Sequence, residues 1–190
     1  MFYNGKEFKQ KGYNISLLDY EPVSSYGKNE RNKLILAFKD NYPFAVEWVT
    51  DICMQLFSNN EKKFQYELRV RYLVSIPSHT VGCANLPCER VCSALAQRFT
   101  WLTHIPHALQ RIQSVPQSHR VSYEERPKCL QHMQTIQYTG PALRIPRETF
   151  VMLDDIITFG ETSRACRSIL KRETECKQVI GLFVGRTVGH

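Results

Sequence analysis

The 190-residue chain has no apolar run of membrane-spanning length, which excludes a helical bilayer span. Its opening, Met1-Phe2-Tyr3-Asn4-Gly5-Lys6-Glu7, is too polar for a secretory signal. There is no Cys-x-x-Cys pair, and seven cysteines is an odd number without the spacing of a disulfide scaffold. Reduced thiols and a cytoplasmic setting are therefore expected. No Gly-x-x-x-x-Gly-Lys-Ser/Thr stretch occurs, so a P-loop nucleotide hydrolase is excluded. Internal repeats and low-complexity tracts are absent as well. Acidic residues are the scarcer charged class: 18 Asp and Glu against 25 Lys and Arg leave a net charge of +7. That balance suits anionic ligands, and polyphosphate and nucleic acid satisfy it equally.

What remains is ordinary for one globular domain: 43% apolar and 23% charged residues, with enough chain to build a core. Residues 1–30 are rich in Lys, Tyr, Asn and Gly and read as an irregular N-terminal arm. Leu34 to Phe38 is a short apolar element. From Pro43, the positions Ala45, Trp48, Val49, Ile52, Cys53 and Leu56 recur at helical spacing, and Ser58-Asn59-Asn60 stop that helix. Leu73 to Pro77 reads as the first core strand, residues 88–99 as a second helix, and Met133 to Tyr138 as a strand. Residues 110–130 lose periodicity and collect Arg, Gln, Ser and Pro, which predicts a long flexible loop. Gln178 to Val184 is expected to close the sheet. The element order is that of an α/β fold, a mostly parallel sheet with helices on both faces.

The most informative stretch is Phe150-Val151-Met152-Leu153-Asp154-Asp155-Ile156-Ile157-Thr158-Phe159-Gly160-Glu161-Thr162. Four apolar residues fit a strand buried on both faces. Two carboxylates would not be spent in such a core, so the strand is expected to end where they begin. Ligands of open α/β sheets lie just beyond the carboxyl ends of strands. Thr158 to Thr162 then forms a strand-to-helix turn. Residues 163–172 read as the helix, with Ala165, Cys166, Ile169 and Leu170 as its apolar stripe. A glycine-bearing turn at a helix N-terminus offers free N–H groups and the positive dipole end to a phosphate. The paired acids can accept hydrogen bonds from sugar hydroxyls. Together they point to a ribose 5-phosphate ligand.

This stretch resembles the PRPP-binding signature of type I phosphoribosyltransferases: four apolar residues, two acids, two apolar residues and a small-residue phosphate loop. Phe159 departs from it, standing where the family has a small residue. Arg111 to Gln117 with the later Arg126 and Lys128, and Tyr26-Gly27 through Lys39, are similar to the ComF-like branch. That branch's cysteine-pair zinc module is missing. The Arg-Gly-Phe-Asn-Gln stretch typical of that branch is replaced by Cys83-Ala84-Asn85-Leu86-Pro87.

The resemblance implies a type I phosphoribosyltransferase-like sheet with a small hood, for which residues 183–190 are the expected stretch. It implies Asp154 and Asp155 on the ribose hydroxyls, and Thr158, Phe159, Gly160, Glu161 (through its backbone) and Thr162 on the 5′-phosphate. Ser78, His79 and Thr80 would form the pyrophosphate loop. Mg2+ would be held mainly by substrate, with Asp154 and Asp155 as the protein's own candidate ligands. Arg111, Arg126 or Lys128 would close over the site as a lid. In hypoxanthine-guanine enzymes a carboxylate occupies the position of Thr158 and acts as base, so 6-oxopurine salvage is disfavoured. A PRPP or nucleotide sensor on the same fold, and a DNA-uptake-associated protein binding nucleic acid, are the other classes the resemblance leaves open. A homodimer is a further partner expectation.

His79, Cys83, Cys88 and Cys92 match no standard zinc spacing. Cys88 and Cys92 share an apolar helix face, which packing alone explains. His104 and His107 receive no role.

Overall fold

A computed structural model describes residues 9–11, 14–20, 30–116 and 127–187. Its centre is β7 (Thr149–Ile157), which pairs in parallel with β3 (Val70–Ser75) on one side and β8 (Gln178–Thr187) on the other. β8 pairs in parallel with β2 (Asn14–Tyr20), and β3 with the short β4 (Thr103–His104). β1 (Lys9–Lys11) adds an antiparallel edge, giving the order β1-β2-β8-β7-β3-β4. β5 (Leu109–Arg111) and β6 (Ile136–Tyr138) form a separate antiparallel pair.

Strand alternation sends side chains to two faces. Val151, Leu153, Leu182, Val184, Ile15 and Leu17 pack beneath α1 (Glu30–Lys39), α2 (Pro43–Asn59) and α3 (Leu86–Arg98), among Phe38, Val49 and Leu95. Phe150, Met152, Phe183 and Val74 face α5 (Glu161–Thr174) through Cys166, Ile169 and Leu170. Each fully buried side chain of this size contributes about 1.5–3 kcal/mol. The fold is thus the expected α/β sheet with helices on both faces, and it leaves the carboxyl end of β7 at the centre of one edge.

Four local expectations change, and one left open is settled. The N-terminal arm is not wholly irregular, since β1 and β2 fall inside it. Asn14-Ile15-Ser16-Leu17 alternates polar and apolar residues, and Ile15 and Leu17 point into the core. β8 is therefore an interior strand rather than the closing one. Its residues Phe183 and Val184 are buried, so 183–187 are not part of a hood, and 188–190 lie outside the described residues. The apolar element 34–38 is helical, because a short apolar run has no period that separates helix from strand. Met133–Thr135 belong to α4 (Cys129–Thr135), which passes directly into β6. α4 starts where the Gln131 side chain accepts the Lys128 backbone N–H at 2.8 Å.

The region 110–130 is only partly a loop. Residues 110–111 lie in β5 and 129–130 in α4, while 117–126, including Arg120 and Arg126, lie outside the described residues.

Candidate functional site

β7 does not stop at its acids; it runs on to Ile157, with Ile156 and Ile157 registered against Gly185 and Arg186 of β8. The carboxylates are accommodated because they are only partly buried and each is hydrogen-bonded. Asp154 Oδ1 accepts from Asn85 Nδ2 at 3.2 Å and from the Asp155 N–H at 2.9 Å. Asp155 Oδ1 accepts the Ile156 N–H at 2.6 Å, and Lys39 Nζ lies 4.0 Å from Asp155 Oδ2. Burial first, and then the charge of Asp155, push the Asp154 carboxyl well above the usual carboxylate range, against a smaller opposing pull from Lys39.

Beyond β7, Gly160 takes φ 75°, ψ 16° and caps α5. This left-handed conformation suits glycine and turns the chain sharply into the helix. The first N–H groups of that helix have no intrahelical carbonyl to bind. They border a pocket of about 130 Å³ lined by Asp154, Thr158, Gly160, Thr162, Ser163 and Lys128, among others. Ser163 is buried, and its Oγ has no hydrogen-bond partner among the described residues. A buried hydroxyl without a partner is costly unless a ligand or water supplies one.

Thr162 is set by a relay. An Arg111 guanidinium nitrogen lies 3.2 Å from His132 Nδ1, and His132 Nε2 lies 3.2 Å from Thr162 Oγ1. A guanidinium can only donate, so Nδ1 accepts and Nε2 carries the proton toward Thr162. The threonine's own O–H remains available to a ligand. Burial first, and then Arg111, depress the His132 pKa to about 4, against Glu161, which raises it. The ring is neutral at physiological pH, as the relay requires. The Glu161 side chain is engaged elsewhere: it accepts the Cys129 N–H at 2.9 Å and pairs with Arg164.

Arg111 is not a lid residue. It lies in β5, is buried, and also donates to Ser78 O at 3.1 Å and Thr135 Oγ1 at 2.7 Å. A guanidinium so tethered cannot swing over a substrate; it fastens the loop after β3 to α4. Within that loop Ser78 Oγ accepts the Thr80 N–H at 3.4 Å, and His79 O accepts the Val115 N–H at 3.0 Å. Ser78, His79 and Thr80 do not line the 130 Å³ pocket. Nor do they line a neighbouring cavity of about 240 Å³ bounded by Ser75, Asn85, Glu89, His107 and Arg111.

Glu89 is a buried acid that sequence reasoning missed. It accepts from Ser75 Oγ at 2.5 Å and the His107 N–H at 3.2 Å, and lies 2.8 Å from His104 Nε2. Burial opposes its charge, but hydrogen bonds from His104, Ser75 and His107 outweigh it and hold the carboxyl below its ordinary value. Asn85, Lys39, Ser163 and His132 were missed too. Only Ser163 carried a local signal, its place in the first turn of the helix after the glycine. Phe159 is 41% exposed, so its ring is not packed in the core.

Among the described residues no group of three His, Cys, Asp or Glu is placed to hold a metal ion. Cys88 and Cys92 are buried thiols whose pKa values burial pushes well up, so they serve as core residues. Among the described residues no helix is long and apolar enough to cross a membrane.

No protein-family model matches the sequence, and no curated protein sequence matches it. Among solved structures, an adenine phosphoribosyltransferase is similar at 14% identity and TM-score 0.46, over 78% of this chain and 73% of that one. The Saccharomyces cerevisiae adenine phosphoribosyltransferase, complexed with D-2,5-dideoxy-2,5-imino-altritol 1,6-bisphosphate and adenine, is similar at 16% identity and TM-score 0.48, over 78% and 72%. The Leishmania donovani adenine phosphoribosyltransferase is similar at 10% identity and TM-score 0.48, over 95% and 86%.

Proposed function

We propose that the chain is a phosphoribosyltransferase that binds PRPP with Mg2+ and displaces its pyrophosphate with a nitrogen nucleophile. One observation carries this reading: adjacent carboxylates on the central strand lead, through a left-handed glycine, into a helix N-terminus whose pocket holds the unpartnered Ser163 hydroxyl.

The 5′-phosphate would take the N–H groups at the start of α5, with the Thr162 and Ser163 hydroxyls as donors. Asp154 and Asp155 would accept from the ribose 2′- and 3′-hydroxyls. With both ends of the sugar fixed, C1 is presented to the acceptor. The bond from C1 to the pyrophosphate oxygen breaks and pyrophosphate leaves with the electron pair. The bond from C1 to nitrogen forms as positive charge spreads over the ribose ring. The paired acids stabilise that charge more than they stabilise the neutral ground state.

Two adjacent carboxylates, with no third protein ligand among the described residues, suit a cation that keeps most of its shell from substrate oxygens and water, which is the habit of Mg2+. Bound there, it would neutralise charge on the leaving pyrophosphate. Thr158 is no general base, so the acceptor is one that loses its proton readily or is already an amine.

The test is magnesium-dependent release of pyrophosphate from PRPP against a panel of nucleobases and amines. Release that needs both an acceptor and Asp154 supports the proposal. Binding of PRPP without turnover for any acceptor would make the chain a sensor.

A further inference from the structure

The Thr158–Gly160 turn separates two cavities. Beside the 130 Å³ pocket, and sharing Ile157, Thr158, Phe159 and Gly160 with it as walls, lies a cleft of about 400 Å³ whose other walls include Arg164, Arg167 and Arg186. Among the described residues no acidic side chain lines it. We infer that this cleft is a second anion site, built for a ligand of the nucleotide class: phosphate groups carried on an aromatic base. The inference rests on a different cavity from the proposed PRPP pocket and does not require that reading.

The arginines are placed, not merely near one another. Arg167 Nη2 donates to Asn14 Oδ1 at 2.7 Å, and its Nε to Val179 O at 3.2 Å, which bridges α5 to β2 and β8. Gly181 makes this bridge possible, since a Cβ there would come within 2.7 Å of Asn14 Oδ1. Arg164 projects from the next turn of α5 and pairs with Glu161. Arg186 comes from the end of β8 and makes no ion pair among the described residues. Two helix positions and one strand end thus converge on a single cleft. Guanidinium forks match phosphate oxygens in pairs.

The volume suits a small organic phosphate rather than a bare ion. Phe159 also lines the cleft and is part-exposed, which gives a base a ring to stack on. This explains an aromatic residue in a turn that otherwise holds small and polar ones. A ligand here would touch the same Thr158–Gly160 turn that lines the 130 Å³ pocket.

Titration calorimetry with ADP, inorganic pyrophosphate and ribose 5-phosphate tests the inference on the full chain. ADP is expected to bind more tightly than pyrophosphate. Arg164→Gln with Arg186→Gln should weaken ADP at least tenfold and leave ribose 5-phosphate within twofold. Arg186→Gln alone should weaken ADP at least threefold, which keeps the test alive if the double variant does not fold. Asp154→Asn with Asp155→Asn should do the reverse, sparing ADP. Undetectable ADP binding to the wild type, or unchanged ADP affinity in folded arginine variants, overturns the inference. So does direct competition between ADP and ribose 5-phosphate for one site. If ADP binding follows the arginines while ribose 5-phosphate fails to bind at all, the second site stands and the phosphoribosyltransferase proposal falls.

Discussion

Asn85 and Asp154 meet across 69 positions of sequence, with Asn85 Nδ2 3.2 Å from Asp154 Oδ1. The same Asn85 nitrogen donates to Ile76 O at 3.2 Å, so the start of α3 is held against the ends of both β3 and β7. The acid that the sequence signature singles out is thereby aimed by a residue with no place in that signature.

The first prediction follows from this pair. Asp154→Asn with Asp155→Asn should weaken ribose 5-phosphate binding well beyond tenfold, because two carboxyl partners of the ribose hydroxyls are lost together. Calorimetry reads this directly. Thermal stability should not fall with it, since the native state already disfavours charge on Asp154. Unchanged affinity would remove these acids from the site.

Asn85→Ala supplies the second. It leaves Asp154 one protein hydrogen bond poorer and should cost about 0.5–1.5 kcal/mol in stability. If Asn85 aims the carboxylate, ribose 5-phosphate binding should weaken severalfold while phosphate alone binds as before. Equal loss for both ligands would reduce Asn85 to a general structural role.

His132 gives a prediction in pH. Its native pKa, about 4, lies below the ordinary imidazole value, so between pH 6.5 and 4 the unfolded chain binds a proton that the native ring refuses. Stability contributed by the neutral ring is therefore lost as pH falls through that window, at up to about 1.4 kcal/mol per pH unit. Asp154 acts with the opposite sign: its raised pKa makes stability fall as pH rises above the unfolded carboxyl value. The useful measurement is the difference between wild type and His132→Gln in urea unfolding at a series of pH values. That difference should carry the slope; parallel curves would show that His132 does not titrate as placed.

Arg111→Met separates a tether from a lid. Three acceptors, Ser78 O, His132 Nδ1 and Thr135 Oγ1, lose their donor. The expected loss of stability is about 2–3 kcal/mol, measured by denaturant unfolding. A variant of full stability with impaired turnover would restore the lid.

Phe159→Thr should cost less than about 0.5–1 kcal/mol, because the ring is part-exposed rather than packed inside. Ribose 5-phosphate binding should persist, since the turn offers backbone there. Much tighter binding at unchanged stability would show instead that the ring obstructs the pocket.

The central strand, the acids, the turn and α5 were legible because their signals are local and contiguous, lying between Thr149 and Thr174. So were α2 and α3, whose apolar positions repeat over several turns. The exit from β7 was misread because burial was assigned to the strand as a whole, whereas its last residues rise to the open edge of the sheet. The relay from Arg111 through His132 to Thr162 could not be read at all. Its members stand on three elements and interact by single atoms, and no spacing in a chain encodes which nitrogen of a histidine accepts. The same holds for Glu89, whose charge makes sense only once His104 and Ser75 are folded beside it.

The pairing of β2 with β8 has a consequence for how the chain is made. Asn14 registers with Gly181 and Tyr20 with Thr187, so β2 finds its parallel neighbour only after the whole chain between them has been synthesised. At ribosomal rates of roughly 5–20 residues per second, that strand waits about 10–30 seconds. Until then its only described strand partner is the three-residue β1. Ile15 and Leu17 meanwhile lack the cover of Leu182 and Val184, leaving a hydrophobic stretch that a chaperone could hold during translation.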